Sequence, residues 1–186
     1  PLRQLDPAEG LATLVHGWLT AFGPGTLQDI QWWLGGTVTA TRRALADIGA
    51  VEVDLDGTSG YVLPDDLDPV EPVEPWAALL PELDPATMGW ADRDWYLGEH
   101  RPEIFDRNGN GGNTVWWEGR IVGGWAQSPA GEVVVELLEA VGREGRQAVE
   151  AEAGRLTDWL AGTRVTGRYP SALTKRAAGG PEPADT

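Results

Sequence analysis

The sequence predicts an α+β fold with two modules, and three observations support this prediction. Apolar residues recur at helical spacing between glycine-rich stops near the start of the chain. Alternating, strand-like segments with turn residues come next, and an acidic, proline-rich stretch then precedes a second mixed segment. With 186 residues, 41% of them hydrophobic, the chain is long enough to bury a core. We place the first module at 1–66, a linker at 67–75, the second module at 76–172 and a disordered tail at 173–186.

The first module begins with three short helices. Asp6-Pro7 supplies an N-cap and a proline at the first helical position, and apolar residues then repeat at helical spacing up to a Gly-Pro-Gly stop. Thr26 can cap a second helix that ends at Gly35-Gly36. Thr37 can cap a third helix that runs to Gly49.

A two-stranded ribbon follows the third helix. Val51 to Leu55 alternates as a half-buried strand does, Asp56 to Gly60 supplies turn residues, and Tyr61 to Leu63 returns. Three helices followed by a ribbon is the order of a winged helix, in which the second and third helices form a helix-turn-helix and the ribbon forms the wing. The first module is therefore predicted to be a winged helix.

The second module is predicted to be a small mixed α/β module with a β-hairpin and a C-terminal helix. Gln147 to Leu160 has its apolar residues at helical spacing, and Glu118-Gly119 is a turn pair between two strand-like runs. The expected elements are a strand at 76–80, helices at 85–90 and 99–105, hairpin strands at 114–117 and 120–126, a strand or helix start at 133–138, and a helix at 147–160.

The charge of the chain is unevenly distributed. A net charge of −15 argues against nonspecific DNA binding, because Lys and Arg must neutralise phosphates. Between Asp47 and Asp106, however, sixteen acidic and two basic residues give −14, whereas seven basic and four acidic residues in 141–176 give +3. This asymmetry allows a local DNA-facing surface on an acidic protein.

Composition excludes several other chemistries. The chain has no cysteine, so disulfides, thiolate metal sites and thiol catalysis are excluded. His16 and His100 lie on separate predicted elements and belong to no spaced ligand set. No apolar run approaches the ~18 residues of a membrane span, and no signal-peptide pattern opens the chain. We expect a cytoplasmic protein, associated with the nucleoid if it binds DNA, with no membrane contact, metal or cofactor.

One segment matches half of a calcium-loop pattern. Asp106 to Gly111 fits D-x-N-x-N-G, but the twelfth position, where the pattern needs a bidentate Glu, is Trp117. A glycine- and asparagine-rich turn explains the same residues. No nucleophile elbow, Ser/His/Asp set or phosphate loop is present either, so the residues specify no catalytic site and leave open whether the chain is an enzyme.

The predicted third helix carries the candidate DNA contacts. In a winged helix it enters the major groove, and its exposed face here would hold Thr39, Thr41, Arg42 and Arg43. Threonine can reach phosphates or base edges, and arginine can fork onto guanine or phosphate. The alternative is that these are ordinary solvated helix residues, because many winged helices bind proteins or serve as scaffolds.

Trp32 and Trp33 form a second candidate surface. Adjacent helical residues cannot both face the core, so we expect one of them to be exposed or to lie at an interface. It could stack against or wedge into a partner, but packing against the second module is the interpretation we favour.

Several segments resemble a bacterial family. They are Trp32-Trp33-Leu34-Gly35, Arg42-Arg43-Ala44-Leu45, Gly60-Tyr61-Val62-Leu63, the run from Leu79 to Pro85, and the hairpin from Val115 to Trp125. Over roughly residues 11–160 the chain is similar to actinobacterial winged helix DNA-binding domain-containing proteins related to the AlkZ/YcaQ crosslink-repair DNA glycosylases.

The resemblance implies DNA binding and damage recognition. Members of the family are longer, have tandem winged helices, and use a Q-x-Q motif in an N-terminal winged helix to position a water beside an N-alkylated nucleotide. This chain has no Q-x-Q motif. Its nearest pair of glutamines, Gln28 and Gln31, is spaced Q-x-x-Q and lies on a different helix. We interpret it as a C-terminal portion of a larger glycosylase-like protein, or as a short member without the catalytic module.

Three functions are therefore considered. The first is double-stranded DNA binding, weak in isolation, through the third helix and through phosphate contacts of Arg120, Arg164 and Arg168. The second is a protein-interaction or scaffolding role without DNA, in which a partner docks on Trp32 and Trp33. The third is a complete glycosylase that acts on alkylated bases.

Overall fold

The structure, a computed structural model, describes residues 4–179 and contains two compact units. The first unit comprises the chain up to Pro72 together with Gly89–Asp92, and the second comprises Val73–Met88 and the chain from Arg93 onward. Within the described residues there are eight helices and seven strands in two antiparallel sheets. The expected mixture of helices and antiparallel strands is confirmed.

The first unit contains three capped helices, α1 (Pro7–Phe22), α2 (Leu27–Leu34) and α3 (Val38–Asp47). The N–H of Ala8 donates to Asp6 at the start of α1 (2.9 Å), and the N–H of Ala40 donates to the Thr37 hydroxyl at the start of α3 (3.2 Å). The helices enclose the core of this unit, which consists of Val15, Trp18, Leu19, Ile30, Ala44, Leu45 and Leu63.

A three-stranded sheet completes the first unit. Strands β1 (Gly25–Thr26), β2 (Val51–Leu55) and β3 (Thr58–Val62) are arranged in the order β1-β3-β2. The turn between β2 and β3 is narrower than the expected five residues, because Asp56 (φ 52°) and Gly57 (φ 91°) both adopt left-handed conformations. Two such residues make a tight hairpin turn, so Leu55 already pairs with Thr58.

Asp29, in the first turn of α2, is a buried carboxylate with four hydrogen-bond donors around it. Its Oδ2 accepts from the backbone N–H (3.0 Å) and the hydroxyl (2.6 Å) of Thr26, whose hydroxyl in turn accepts from the Asp29 N–H, which makes a capping box. Its Oδ1 accepts from the N–H groups of Ala91 (2.8 Å) and Asp92 (3.1 Å).

Residues 89–92 were expected in the second module, but they group with the first unit. The two hydrogen bonds to Asp29 hold Ala91 and Asp92, and the Trp90 ring lies edge-on to Phe22 with centroids 5.4 Å apart. No local pattern in the sequence indicates these partners, because they lie more than sixty positions apart along the chain.

The second unit is built on a four-stranded sheet. Strands β4 (Ala77–Leu80), β5 (Thr114–Trp117), β6 (Arg120–Gln127) and β7 (Val133–Leu137) lie in the order β4-β5-β6-β7. The expected turn at Glu118-Gly119 is confirmed, with φ values of 47° and 80°. The segment that the sequence left open between strand and helix is strand β7.

Five helices accompany this sheet, namely α4 (Pro85–Met88), α5 (Asp94–Leu97), α6 (Arg101–Ile104), α7 (Gly142–Leu160) and α8 (Ala172–Ala177). Helix α5 was not expected, since four residues show no periodicity. Helix α7 begins five residues before its expected start. In its first turn the residue that packs is Gly145, whose α-carbon lies against the Trp117 ring. Because glycine has no apolar side chain, the sequence pattern does not reveal that the helix starts here. Val149, Ala153 and Leu160 of α7 enter the core.

The expected disordered tail at 173–186 needs correction over residues 173–177, which lie in α8. The Ser171 hydroxyl caps this helix by accepting from the Thr174 N–H (3.1 Å), and the Leu173 side chain is fully buried against β6. Arg176 pairs with Glu103 and Glu136, both at 2.8 Å. One buried leucine and two ion pairs order this segment, and no short periodicity reveals them. Residues 180–186 of the expected tail lie outside the described residues.

We predict that Asp29→Ala lowers the free energy of unfolding of the first unit by about 1–3 kcal/mol, because it removes the acceptor of the part-buried N–H groups of Ala91 and Asp92. Hydrogen exchange of the α3 amides measures this unit separately. Asp47→Ala is the matched control, since Asp47 is exposed and its nearest cation is 3.8 Å away, and it should change stability by less than about 0.5 kcal/mol. Equal effects of the two variants would contradict the role assigned to Asp29.

Candidate nucleic-acid interface

Helix α3 presents three of the four expected DNA-contact side chains to solvent. Thr39, Arg42 and Arg43 are all exposed. The Arg43 side chain is 75% exposed, and its Nε lies 3.8 Å from Asp47 Oδ2 one turn later. Arg42 forms no ion pair with any residue between 4 and 179. A single long, exposed ion pair restrains a side chain weakly, so both guanidinium groups are free to meet a phosphate or a base edge.

Thr41, the fourth expected contact, needs correction. Its side chain is fully buried, and its hydroxyl donates to the Thr37 carbonyl at 3.0 Å. Thr41 shares a helix face with the buried Ala44 and Leu45, three and four positions later, and this face packs into the core. Its hydroxyl therefore cannot reach DNA.

A groove beside α3 was not foreseen from the sequence. It has a volume of about 420 Å³ and lies between α3 and the start of α1, with Thr39 and Arg43 on one side and Pro7, Ala8 and Leu11 on the other. The groove depends on how α1 packs against α3. Helical periodicity gives the buried face of each helix but not the spaces left between two of them.

Arg120, the first basic residue expected to contact phosphate from the second unit, lies at the start of β6. Its side chain is 54% exposed, and its Nη2 lies 3.5 Å from Glu139 Oε2. The same Glu139 oxygen lies 3.1 Å from His100 Nε2. Arg120 is therefore accessible but not isolated, since a phosphate would share it with a carboxylate.

Arg164 and Arg168 lie in the segment between α7 and α8, and both are exposed. Arg164 donates from Nη1 to the Ser128 carbonyl at 2.6 Å, which leaves its other guanidinium donors available. Arg168 is held by its backbone, whose N–H donates to Glu82 Oε1 at 2.6 Å. This bond restrains the backbone of Arg168 and does not involve its guanidinium group.

Both tryptophans of the pair on α2 are exposed, although only one was expected to be. Trp32 is 44% exposed and Trp33 42%, with ring centroids 6.4 Å apart. Trp33 also lies 5.5 Å from Phe22, while Ile30 takes the fully buried position on α2. The helix thus buries Ile30, packs Leu27 and Leu34 partly against the core, and leaves two indole rings accessible.

Comparison with known proteins assigns the chain to a family. A family model described as DNA glycosylase AlkZ-like matches residues 1–159. The chain belongs to the AlkZ-like DNA glycosylase family. The resemblance noted in the sequence is thereby confirmed.

Two relatives of this AlkZ-like chain come from Streptomyces sahachiroi. An interstrand DNA cross-link repair glycosylase is 28% identical over 160 residues, which are 81% of this chain and 43% of the relative. The solved structure of the DNA glycosylase AlkZ matches with a TM-score of 0.72 at 26% identity, over 84% of this chain and 45% of that one. The AlkZ-like chain thus spans less than half the length of either relative.

The Asp106 loop of the AlkZ-like chain is closed by its own hydrogen bonds. Asp106 Oδ1 accepts from the N–H groups of Asn108 (2.8 Å) and Asn110 (2.9 Å), and its Oδ2 accepts from the Asn110 side-chain amide (2.8 Å). These bonds make the segment a turn, which explains why its sequence fits D-x-N-x-N-G. Residues 4–179 contain no group of three or more His, Asp or Glu side chains that could hold a metal ion, and no helix among them is long and apolar enough to cross a bilayer.

We predict that the pKa of Asp106 lies below its ordinary value of 3.8, chiefly because the Asn110 side chain and backbone hydrogen-bond to the charged form. The ionised Asp106 side chain therefore stabilises the folded loop, fully so at pH values above its ordinary pKa. This stabilisation is lost as the pH falls through the lowered pKa. A carboxyl NMR titration measures the value. Asn110→Ala should move the pKa of Asp106 upward, and an unchanged titration in that variant would contradict the assigned cause.

Proposed function

We propose that this AlkZ-like chain is a double-stranded DNA-binding part of a DNA-repair glycosylase-like protein. The observation that carries the proposal is the exposed set of Thr39, Arg42 and Arg43 on α3, in a chain whose family model is that of a DNA glycosylase. Among residues 4–179, a carboxylate forms an ion pair with only one of the two arginines, Arg43, at 3.8 Å. The overall negative charge therefore leaves a cationic patch on this helix.

We also propose that the first unit is a winged helix. Its element order, α1-β1-α2-α3-β2-β3, with a small antiparallel sheet, is the order of that fold. The turn between α2 and α3 contains Gly35, whose φ of 66° suits a residue without a Cβ. In this arrangement α3 enters the major groove, and the β2-β3 hairpin forms the wing.

Each side chain has a role in this proposal. Arg42 and Arg43 meet base edges or phosphates, and Thr39, nearer the N-terminus of α3, donates to a phosphate. Arg120, Arg164 and Arg168 contact phosphates from the second unit. The acidic stretch that follows α3, from Glu52 to Asp106, repels DNA and must point away from it, so affinity is local and weak in isolation, and its salt dependence is shallow.

We assign base excision to a part of the protein other than these 186 residues. The relative from Streptomyces sahachiroi is an interstrand DNA cross-link repair glycosylase, which suggests a lesion-bearing duplex as the target of the whole protein. The catalytic glutamine pair that the family resemblance implies has no counterpart here, because no two glutamines of the chain are spaced Q-x-Q. The chain would hold the duplex while another module acts on the base.

We predict that Arg42→Ala together with Arg43→Ala weakens duplex binding at least tenfold. The double variant should also lower the slope of log K against log salt by about 0.9 for each phosphate that the arginines no longer neutralise. Fluorescence anisotropy with a labelled duplex at several salt concentrations measures both quantities. Arg155→Ala is the matched control, because Arg155 already forms a 2.7 Å ion pair with Glu152, and it should leave both quantities unchanged. Duplex binding that is absent, or insensitive to salt, would refute the proposal.

A protein-interaction role is the second candidate, and the exposure of both Trp32 and Trp33 favours it. Trp32 is the test position, since it is the more exposed of the two, 44% against 42%. If this role is the real one, Trp32→Ala should abolish a pull-down that the arginine double variant leaves intact, while duplex affinity stays at the same low level in both variants. A duplex affinity that depends on the arginines but not on Trp32 would decide for DNA.

A further inference from the structure

Strand β7 is the free edge of the four-stranded sheet in the second unit. Within residues 4–179 it pairs with β6 and with no other strand. The Leu138 N–H donates to the Val122 carbonyl (2.9 Å), and the Ser128 N–H donates to the Glu132 carbonyl (2.8 Å). Even-numbered residues of this strand therefore direct their backbone groups to β6, and the odd-numbered residues Val133, Val135 and Leu137 direct theirs outward.

Most of these outward groups have no hydrogen-bond partner in the part of the chain that the structure describes. The Val133 N–H donates to the Thr157 hydroxyl at 2.9 Å. Among residues 4–179, nothing hydrogen-bonds the outward backbone groups of Val135 or Leu137. An unpaired row of this kind is a template for one more strand, and proteins usually blunt or cover such an edge.

A groove of about 780 Å³ runs along this edge, between β7 and α7. Thr157 bonds to Val133 at one end, and residues 138–141 join the strand to the helix at the other, so β7 and α7 run side by side in opposite directions. The floor of the groove is apolar and includes Val135 and Val149. One stripe of α7, spaced every four residues, forms its outer wall, and its members are Arg146, Glu150, Gly154 and Asp158.

The residues in the α7 stripe indicate which kind of ligand the groove can bind. Glu150 and Asp158 are exposed and form no ion pair within the described part of the chain, and Gly154 between them leaves open space where a side chain would stand. Eight helical residues separate the two acids by about 12 Å, and strand positions i and i+4 lie about 13 Å apart. Two basic side chains at i and i+4 of an added strand would therefore reach both acids, while a small side chain at i+2 faces Gly154.

We propose that the β7 edge binds an extended peptide segment of a partner protein as an additional strand, one with Lys or Arg at two groove-facing positions four residues apart and a small residue between them. Val135 and the small residue then exchange the backbone hydrogen bonds of an antiparallel pair. Nucleic acid is not the occupant, because Glu132, Glu150 and Asp158 would repel phosphates.

The test uses the whole chain and the peptide Thr-Lys-Thr-Ala-Thr-Lys-Thr, labelled at its N-terminus. We expect saturable binding that perturbs the amide NMR signals of Val135 and Leu137. A peptide with Glu in place of both Lys residues should bind at least tenfold more weakly, because two attractive pairs become repulsive. Duplex DNA should not displace the peptide, which separates this outcome from the success or failure of the DNA proposal. Equal binding of the two peptides, or no binding of the lysine peptide, would overturn the inference.

Gly154→Leu supplies the matched test on the protein. The leucine side chain occupies the open space beside residue 154, and leucine has a higher helix propensity than glycine, so the chain should fold at least as stably. Because the side chain projects into the groove, the affinity for the lysine peptide should fall at least tenfold. Ala151→Leu adds a leucine to the same helix outside the groove and should leave affinity within twofold. Val135→Pro removes an outward N–H without touching the ladder to β6 and should also abolish binding. Peptide affinity that survives both Gly154→Leu and Val135→Pro would refute the site.

Discussion

The carboxylate of Asp29 is the constraint on which the first unit depends. It is 3% exposed, and burying a charge is costly unless hydrogen bonds replace the lost water. Four donors from Thr26, Ala91 and Asp92 do so. Because α2 starts at this carboxylate and only a short turn separates α2 from α3, the same bonds fix the helix that carries the exposed arginines.

The availability of each arginine depends on its local partners more than on the charge of its segment. Residues 141–176 carry a net charge of +3, but Arg155 is paired with Glu152, and Arg176 lies between Glu103 and Glu136, which raise its pKa. Arg42, by contrast, lies in a chain of strongly negative net charge and has no ion pair within residues 4–179. The net charge of a segment is therefore a poor guide to whether its surface can bind a polyanion.

The parts of the structure that could be predicted from the sequence depend on local chemistry. Thr26 and Thr37 signal helix starts because a hydroxyl must meet a backbone N–H within one turn, and Glu118-Gly119 signals a turn because such pairs accept positive φ. The burial of Thr41 could not be predicted in this way. Threonine is compatible with either face of a helix, and the elements packed around α3 decide which face is buried. The groove along β7 likewise requires knowledge of which strand lies at the edge.

Residues 89–92 complete the first unit although they follow part of the second in the chain, and this order matters during synthesis. A ribosome delivers α1, α2 and α3 first, but the last two donors to Asp29 emerge only with Ala91 and Asp92. Until then the carboxylate has partners on one oxygen alone and must keep water on the other. The first unit therefore cannot reach its final form cotranslationally until the nascent chain has grown past β4 and α4 of the second.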